Sequence, residues 1–180
     1  MIRGGRICDR ERILPALRAP RVTKAGTPAL VALDRAGVAY TLHPYDVHPD
    51  EANYGRLVAA AIGIDEAQVF KTLVAQADGR PVVAVVPVAG HLSLKALAAA
   101  VRAKRADMAP PPLAERLTGY VVGGISPLGQ RKRLPTVIDA SASGFGLVYV
   151  SAGRRGLQVG VAPGELVRLL DATLADLAAP

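Results

Sequence analysis

The chain has 180 residues, a formal charge of +7, one cysteine, and 51% hydrophobic residues, enough apolar material for one core and one domain. The lone Cys8 excludes an intramolecular disulfide, a zinc cluster and a redox thiol pair within one chain, and this usage fits a reducing cytosol, hence a cytoplasmic protein. The longest apolar run, residues 82–89, is broken by Pro87 and falls well short of the roughly 18 residues that cross a bilayer, so no membrane partner is expected.

Residues 1–24 carry seven basic against two acidic side chains, a net +5 that leaves only +2 for the rest. This Arg-rich segment has the make-up of a transit peptide but holds no serine and no apolar h-region. The expectation is a flexible basic extension or a misassigned start codon. Beyond it, a polyanion would have to be met at local clusters: Arg102 to Arg105, Arg131-Lys132-Arg133 and Arg154-Arg155. Such runs also serve simply as solvated surface.

From Thr27 the chain is punctuated. Thr27 as cap, Pro28 at the first helical position, apolar Leu30, Val31 and Leu33, and Gly37 as stop predict a short amphipathic helix. Residues 38–45 alternate as a strand. Asp50 and Glu51 open a second helix ending at Gly63, with Leu57, Val58, Ala61 and Ile62 on one face. Residues 69–75 and 82–88 flank Asp78-Gly79-Arg80 as the two strands of a hairpin. Ser93 caps a helix to about Val101, and Pro110-Pro111-Pro112 precedes another through Leu117, closed by Gly119. A strand stub is expected over 120–122, then strands over 136–139, 147–151 and 157–161, and a terminal helix from Pro163 to about Leu170. Helices scattered among short strands without regular βαβ alternation predict an α+β domain: a mixed sheet or partly closed barrel surrounded by helices.

Two features could carry chemistry. The loop Gly123-Gly124-Ile125-Ser126-Pro127-Leu128-Gly129 allows close backbone approach and can aim several amides at a carboxylate, phosphate or oxyanion. It lacks the Gly-Lys-Ser or Gly-Lys-Thr ending of a phosphate loop, and a glycine-rich connection can equally be only a turn. Lys71 interrupts the apolar stretch Val69-Phe70-Lys71-Thr72-Leu73-Val74, either snorkelling to solvent or holding a phosphate or ribose-linked substrate. His43, His48 and His91 show no metal-ligand spacing, so neither a metal nor another cofactor is expected. Ser126 precedes proline and lies in no Gly-x-Ser-x-Gly elbow, so no protein nucleophile is visible. Thr72 and Ser151 are possible hydroxyl donors.

Seven segments in order resemble the YbaK family of Cys-tRNA(Pro) deacylases, which is related to the editing domain inserted in bacterial prolyl-tRNA synthetases. They are Thr27-Pro28-Ala29, His43-Pro44-Tyr45, Asn53-Tyr54-Gly55, Val69-Phe70-Lys71-Thr72-Leu73, Pro87-Val88-Ala89-Gly90, the stretch from Gly119 to Gln130, and Tyr149-Val150-Ser151-Ala152-Gly153. The resemblance, covering residues 27–177, implies the editing-domain fold over 25–180. Lys71 becomes the pocket lysine and Gly123 the loop position at the reacting ester. Tyr45, Tyr54, Thr72, Gly124, Ser126, Ser151 and Gln158 become substrate-binding positions. One position departs: where the family carries an aspartate after Arg-Gly-Leu, this chain has Gln158, which cannot act as a base.

The activity so implied is clearance of mischarged Cys-tRNA(Pro), binding the tRNA acceptor end with prolyl-tRNA synthetase as a possible partner. Cysteine carries its own thiol, and folding it onto the ester carbonyl could draw on effective molarities of about 10⁵ to 10⁸ M without a protein nucleophile. Glycine-loop amides, that of Gly123 included, would then hold the carbonyl oxygen while Lys71 grips the terminal phosphate or ribose. Two alternatives stay open: deacylation of Ala-tRNA(Pro) or another small aminoacyl-tRNA, and a non-catalytic tRNA- or synthetase-binding module. The small net charge outside residues 1–24 favours borrowing tRNA specificity from a synthetase.

Overall fold

In the computed structural model, residues 26–48 and 52–179 are described. The basic extension expected over 1–24 and the helix opening at Asp50 and Glu51 lie outside them. The Thr27 hydroxyl accepts a hydrogen bond from the Leu30 N–H at 3.3 Å, and with Pro28 in the first turn it starts α1 (Pro28–Arg35), which buries Ala29, Leu30 and Leu33. Tyr40–Pro44 forms β1, and α2 (Tyr54–Ile62) ends at Gly63 in the left-handed conformation. The buried face of α2 is Val58 and Ala59, with Leu57 41% exposed, a correction to the expected face that included Leu57 and Ala61.

Strands β2 (Phe70–Ala77) and β3 (Arg80–Pro87) form the expected hairpin, in register from Phe70 opposite Pro87 to Ala77 opposite Arg80. Asp78 and Gly79 take positive φ values of 47° and 78°, as a two-residue primed turn requires. The Asp78 carboxylate accepts from the amides of Lys104 and Arg105 at 2.9 and 3.2 Å, tying the turn to the chain entering β5 (Ala106–Met108). A short β4 (His91–Leu92) and helix α3 (Leu94–Ala100), capped by Ser93, lie between them. Helix α4 (Pro111–Thr118) ends at Gly119.

The remaining strands are β6 (Thr136–Asp139), β7 (Val148–Ser151), β8 (Leu157–Val161), β9 (Thr173–Ala175) and β10 (Ala178–Ala179). A 3₁₀ turn (Ala140–Gly144) and helix α5 (Pro163–Leu170) complete the chain. One mixed sheet has the order β5-β2-β3-β6-β9, an antiparallel sheet the order β1-β8-β7, and β10 pairs with β4. The central strand β3 is buried on both faces: Val83 and Val85 enter one apolar cluster, and Val82, Ala84 and Val86 another under α3. That double burial explains the uninterrupted apolar run.

The two larger sheets meet where the Tyr149 amide donates to the Gln68 carbonyl at 2.9 Å, beside a parallel bridge between Val69 and Tyr149. The result is the expected α+β domain with a partly closed sheet around its main core. Residues 120–122 do not form the expected strand stub. The Tyr120 hydroxyl donates to the Leu128 carbonyl at 2.8 Å, and the Gly124 amide donates to the Val121 carbonyl at 2.9 Å, so the segment is spent on bracing a turn.

Candidate active site

Among the described residues, the junction of the sheets leaves part of β2 without a neighbour. β5 pairs only with Ala75, Gln76 and Ala77, and the Ala109 amide adds one bond to the Val74 carbonyl at 3.0 Å. On the other side the Val69 carbonyl accepts from Val88 at 2.8 Å. Peptide groups alternate sides along an antiparallel strand, so those of Lys71 and Leu73 turn toward β3 and that of Thr72 toward the open edge. A cavity of about 310 Å³ lies against this edge. Its walls are residues 69–74, Tyr54, Gly55 and Val58 of α2, and Met108, Ala109, Pro111 and Ala114 around α4. Val122, Gly123 and Ile125 of the glycine loop, with Ser151 and Gln158, close it.

Lys71 is half-buried, and its ammonium donates to the Gly90 carbonyl at 2.6 Å. Burial, and secondarily the Arg56 cation, hold its pKa below the ordinary lysine value. Lys71, Tyr54, Gly55 and Val88 also line a second recess of about 360 Å³ together with Asn53, Arg56 and His91. Lys71 therefore stands between an apolar chamber and a polar, cationic one. Arg56 is held there by Glu66 at 3.2 Å and the Ala89 carbonyl at 3.1 Å.

Tyr45 does not line the cavity; its hydroxyl bonds the Tyr54 hydroxyl at 2.8 Å and so supports a residue that does. Burial, then the Tyr45 hydrogen bond, raises the Tyr54 phenol pKa. Within the glycine loop the roles divide. Gly123 lines the cavity at φ 85°, and its amide has no backbone partner among the described residues. The Gly124 amide is engaged by Val121, and a Cβ at Gly124 would meet the Arg155 nitrogen at 2.9 Å and the Arg154 carbonyl carbon at 3.0 Å. Ser126 is fully buried outside the cavity wall, its hydroxyl accepting from the Leu128 amide at 3.2 Å. Gly124 and Ser126 thus shape the loop, while Gly123 presents it.

Ser151 and Gln158 face each other across β7 and β8, and the Ser151 hydroxyl accepts from the Gly153 amide at 3.3 Å. Gln158 is 7% exposed. Its Oε1 and the Thr72 Oγ1 are the buried side-chain polar atoms without a hydrogen-bond partner among the described residues, and both residues line the cavity. Sequence reasoning missed Arg155, whose guanidinium donates twice to the Val122 carbonyl, at 3.0 and 2.7 Å, and clamps the loop onto the β7–β8 turn. The Arg154-Arg155 pair signalled only charge. Among the described residues no group of three or more His, Cys, Asp or Glu side chains could hold a metal ion, and no helix is long and apolar enough to cross a membrane.

The site is thus a small apolar chamber at a strand edge, closed by a glycine loop and joined at Lys71 to a cationic recess. The profile of the aminoacyl-tRNA editing domain matches residues 48–169, a span that includes every cavity position from Tyr54 to Gln158, and the chain belongs to that family. It is 34% identical over 160 residues to an Enterococcus faecalis protein with the provisional name Cys-tRNA(Pro)/Cys-tRNA(Cys) deacylase EbsC, covering 88% of this chain and 97% of that one. A proline–tRNA ligase of Geobacter sp. (strain M21) is 34% identical over 88 residues, 49% of this chain and 15% of the ligase. Two crystal structures share the fold, each at TM-score 0.76 and 23% identity. One, described provisionally as a trans-editing enzyme for prolyl tRNA synthetase, matches over 89% of this chain and 100% of its own. The other, the hypothetical protein APE2540, matches over 85% and 100%.

Proposed function

We propose that the chain is a deacylase that clears Cys-tRNA(Pro) in the cytoplasm, working with or beside prolyl-tRNA synthetase. The observation that carries this reading is the place of Lys71, at the join between the apolar cavity and the recess of Asn53, Arg56 and His91. The first chamber, at the small end of ligand sites, suits a short side chain. The second, with two cations beside a histidine, suits the terminal ribose and phosphate of an acceptor end. The likeness of half the chain to part of a proline–tRNA ligase supports the choice of tRNA(Pro).

Cysteine and proline are close in size, and a pocket separates ligands differing by one methylene by only about 1–3 kcal/mol, so mischarging needs a second enzyme. Among the described residues the cavity lining holds no carboxylate, cysteine or histidine that could attack or take a proton from water. The substrate thiol fills that place. Its sulfur bonds to the ester carbonyl carbon, the carbon–oxygen bond to the ribose breaks, and the thiol proton passes to the leaving ribose oxygen. Water then opens the resulting thiolactone to cysteine. The Gly123 amide and the open peptide edge at Thr72 are available donors for the oxyanion, each worth about 10² to 10³ in rate.

Deacylation of cysteinyl-, alanyl- and prolyl-tRNA(Pro) is the test. Cysteinyl ester should be cleaved fastest, its S-alkylated form should resist, and Lys71→Ala should lower kcat/KM by about 10²-fold, near 2.7 kcal/mol of transition-state stabilisation. Cleavage of the S-alkylated ester at the native rate would rule out self-attack by the thiol. Wild-type rates for Lys71→Ala would remove Lys71 from the site. Preference for the alanyl ester would replace the substrate.

A further inference from the structure

We infer that Gln158 Oε1 and Thr72 Oγ1 form a subsite for the free α-amino group of the acyl substrate, so that the cavity reads an unblocked amine as well as a small side chain. The inference rests on the aminoacyl-ester reading above. Native proteins leave few buried polar atoms unpaired, and each exception calls for an explanation. Here both exceptions line one cavity, on strands from different sheets: Thr72 on β2 and Gln158 on β8. Gln158 is fixed there by its neighbours on both sides, opposite Ser151 of β7 and His43 of β1.

The carboxamide oxygen can only accept a hydrogen bond, and the Thr72 hydroxyl can accept one while donating another. A ligand group that pairs both must therefore carry N–H or O–H donors. In an aminoacyl ester the carbonyl and the ester oxygen have none, and the ribose hydroxyl belongs beside Lys71. The cysteine thiol is only a weak donor, and in the reaction above it turns onto the ester carbonyl, so the α-amino group is the strong donor that remains, and its carbon is bonded directly to that carbonyl. An ester held against the β2 edge at Thr72 thus brings the amine to the same residue's side chain. Among the described residues no carboxylate lines the cavity, so the amine is met by neutral acceptors, which serve its charged and uncharged forms alike. A neutral Gln158 then recognises the amine without adding a negative charge to an apolar chamber.

The test compares two non-hydrolysable ligands differing in one group: adenosine carrying L-cysteine through a 3′-amide, and the same nucleoside carrying 3-mercaptopropionate. Dissociation constants are measured by calorimetry for the wild type, Gln158→Met, which keeps length but loses the acceptor, and Gln158→Glu, which keeps an acceptor. The wild type should prefer the amine-bearing ligand by about tenfold or more. Gln158→Met should lose that preference while binding the desamino ligand within about twofold of wild type, and Gln158→Glu should retain it. If Gln158→Met does not fold, Thr72→Val runs the same cycle. Equal wild-type affinities, an equal loss for both ligands, or binding of neither overturns the subsite. Hydrolysis of cysteinyl-tRNA with no amine preference sinks the subsite and leaves the deacylase reading standing. Amine preference with no ester hydrolysed does the reverse.

Discussion

The Lys71 ammonium is destabilised where it sits, by partial burial first and by the Arg56 guanidinium second, and its hydrogen-bond partner, the Gly90 carbonyl, is neutral. A cation so placed gains from an arriving anion more than an exposed one would. Arg56→Gln removes a positive neighbour, which favours the charged lysine and raises its pKa. The alkaline limb of the kcat/KM profile should therefore move to higher pH; a limb that stays in place or moves down uncouples the two residues. The lost Arg56–Glu66 pair is half exposed and should change stability by less than about 1 kcal/mol. Lys71 was legible in the sequence because a lysine interrupts an apolar strand. Thr72 was harder to place, since alternation puts it on the opposite face. A cavity at the strand's edge touches both, and pairing with β5 over only three residues cannot be read from β2 alone.

At the scale of elements, the glycine loop is braced by contacts that no local pattern announces. The Gly124 position lies against the backbone of Arg154 and Arg155, which cannot swing aside as a side-chain tip could. Gly124→Ala should cost about 1–3 kcal/mol in urea unfolding and lower deacylation, whereas Gly146→Ala, which meets nothing within 4 Å, should be near neutral in both assays. Equal effects would mean that the approach to Arg154 and Arg155 is not what requires glycine. The capped helices, the Asp78-Gly79 hairpin and the buried β3 were legible because each rests on short-range rules of capping, turn conformation or apolar run length. Strands β4, β9 and β10 were not, because two or three residues carry no alternation to detect. The stub expected at 120–122 failed for a related reason: the Tyr120 hydroxyl and the Val122 carbonyl are taken up by a turn whose partners, Leu128 and Arg155, lie elsewhere in the chain.

For the whole molecule, a buried carboxylate helps to hold the C-terminal segment, which also pairs with β4. Asp139 at the end of β6 accepts from the Leu177 and Ala178 amides at 2.8 and 2.7 Å and from the Ser141 amide at 3.0 Å. Burial alone would raise its pKa, but the hydrogen bonds from Ser141, Ala178 and Leu177 outweigh it and the net shift is downward. A carboxylate depressed in the fold contributes stability that is present above its unfolded pKa of about 3.9 and disappears as pH falls through the lower folded value. Asp139→Ala should cost about 3 kcal/mol at pH 7, and its deficit relative to wild type should shrink in acid. A constant deficit across pH would show that packing, not charge, is lost. The unpaired edge of β2 has a different kind of consequence. An exposed row of peptide groups invites pairing with other chains, and here it is enclosed inside the site instead. Part of what the cavity offers a ligand is then main chain, unaltered by most side-chain replacements. An alanine scan of the lining would undercount Thr72, and only an amide-to-ester exchange at that residue would expose its full share.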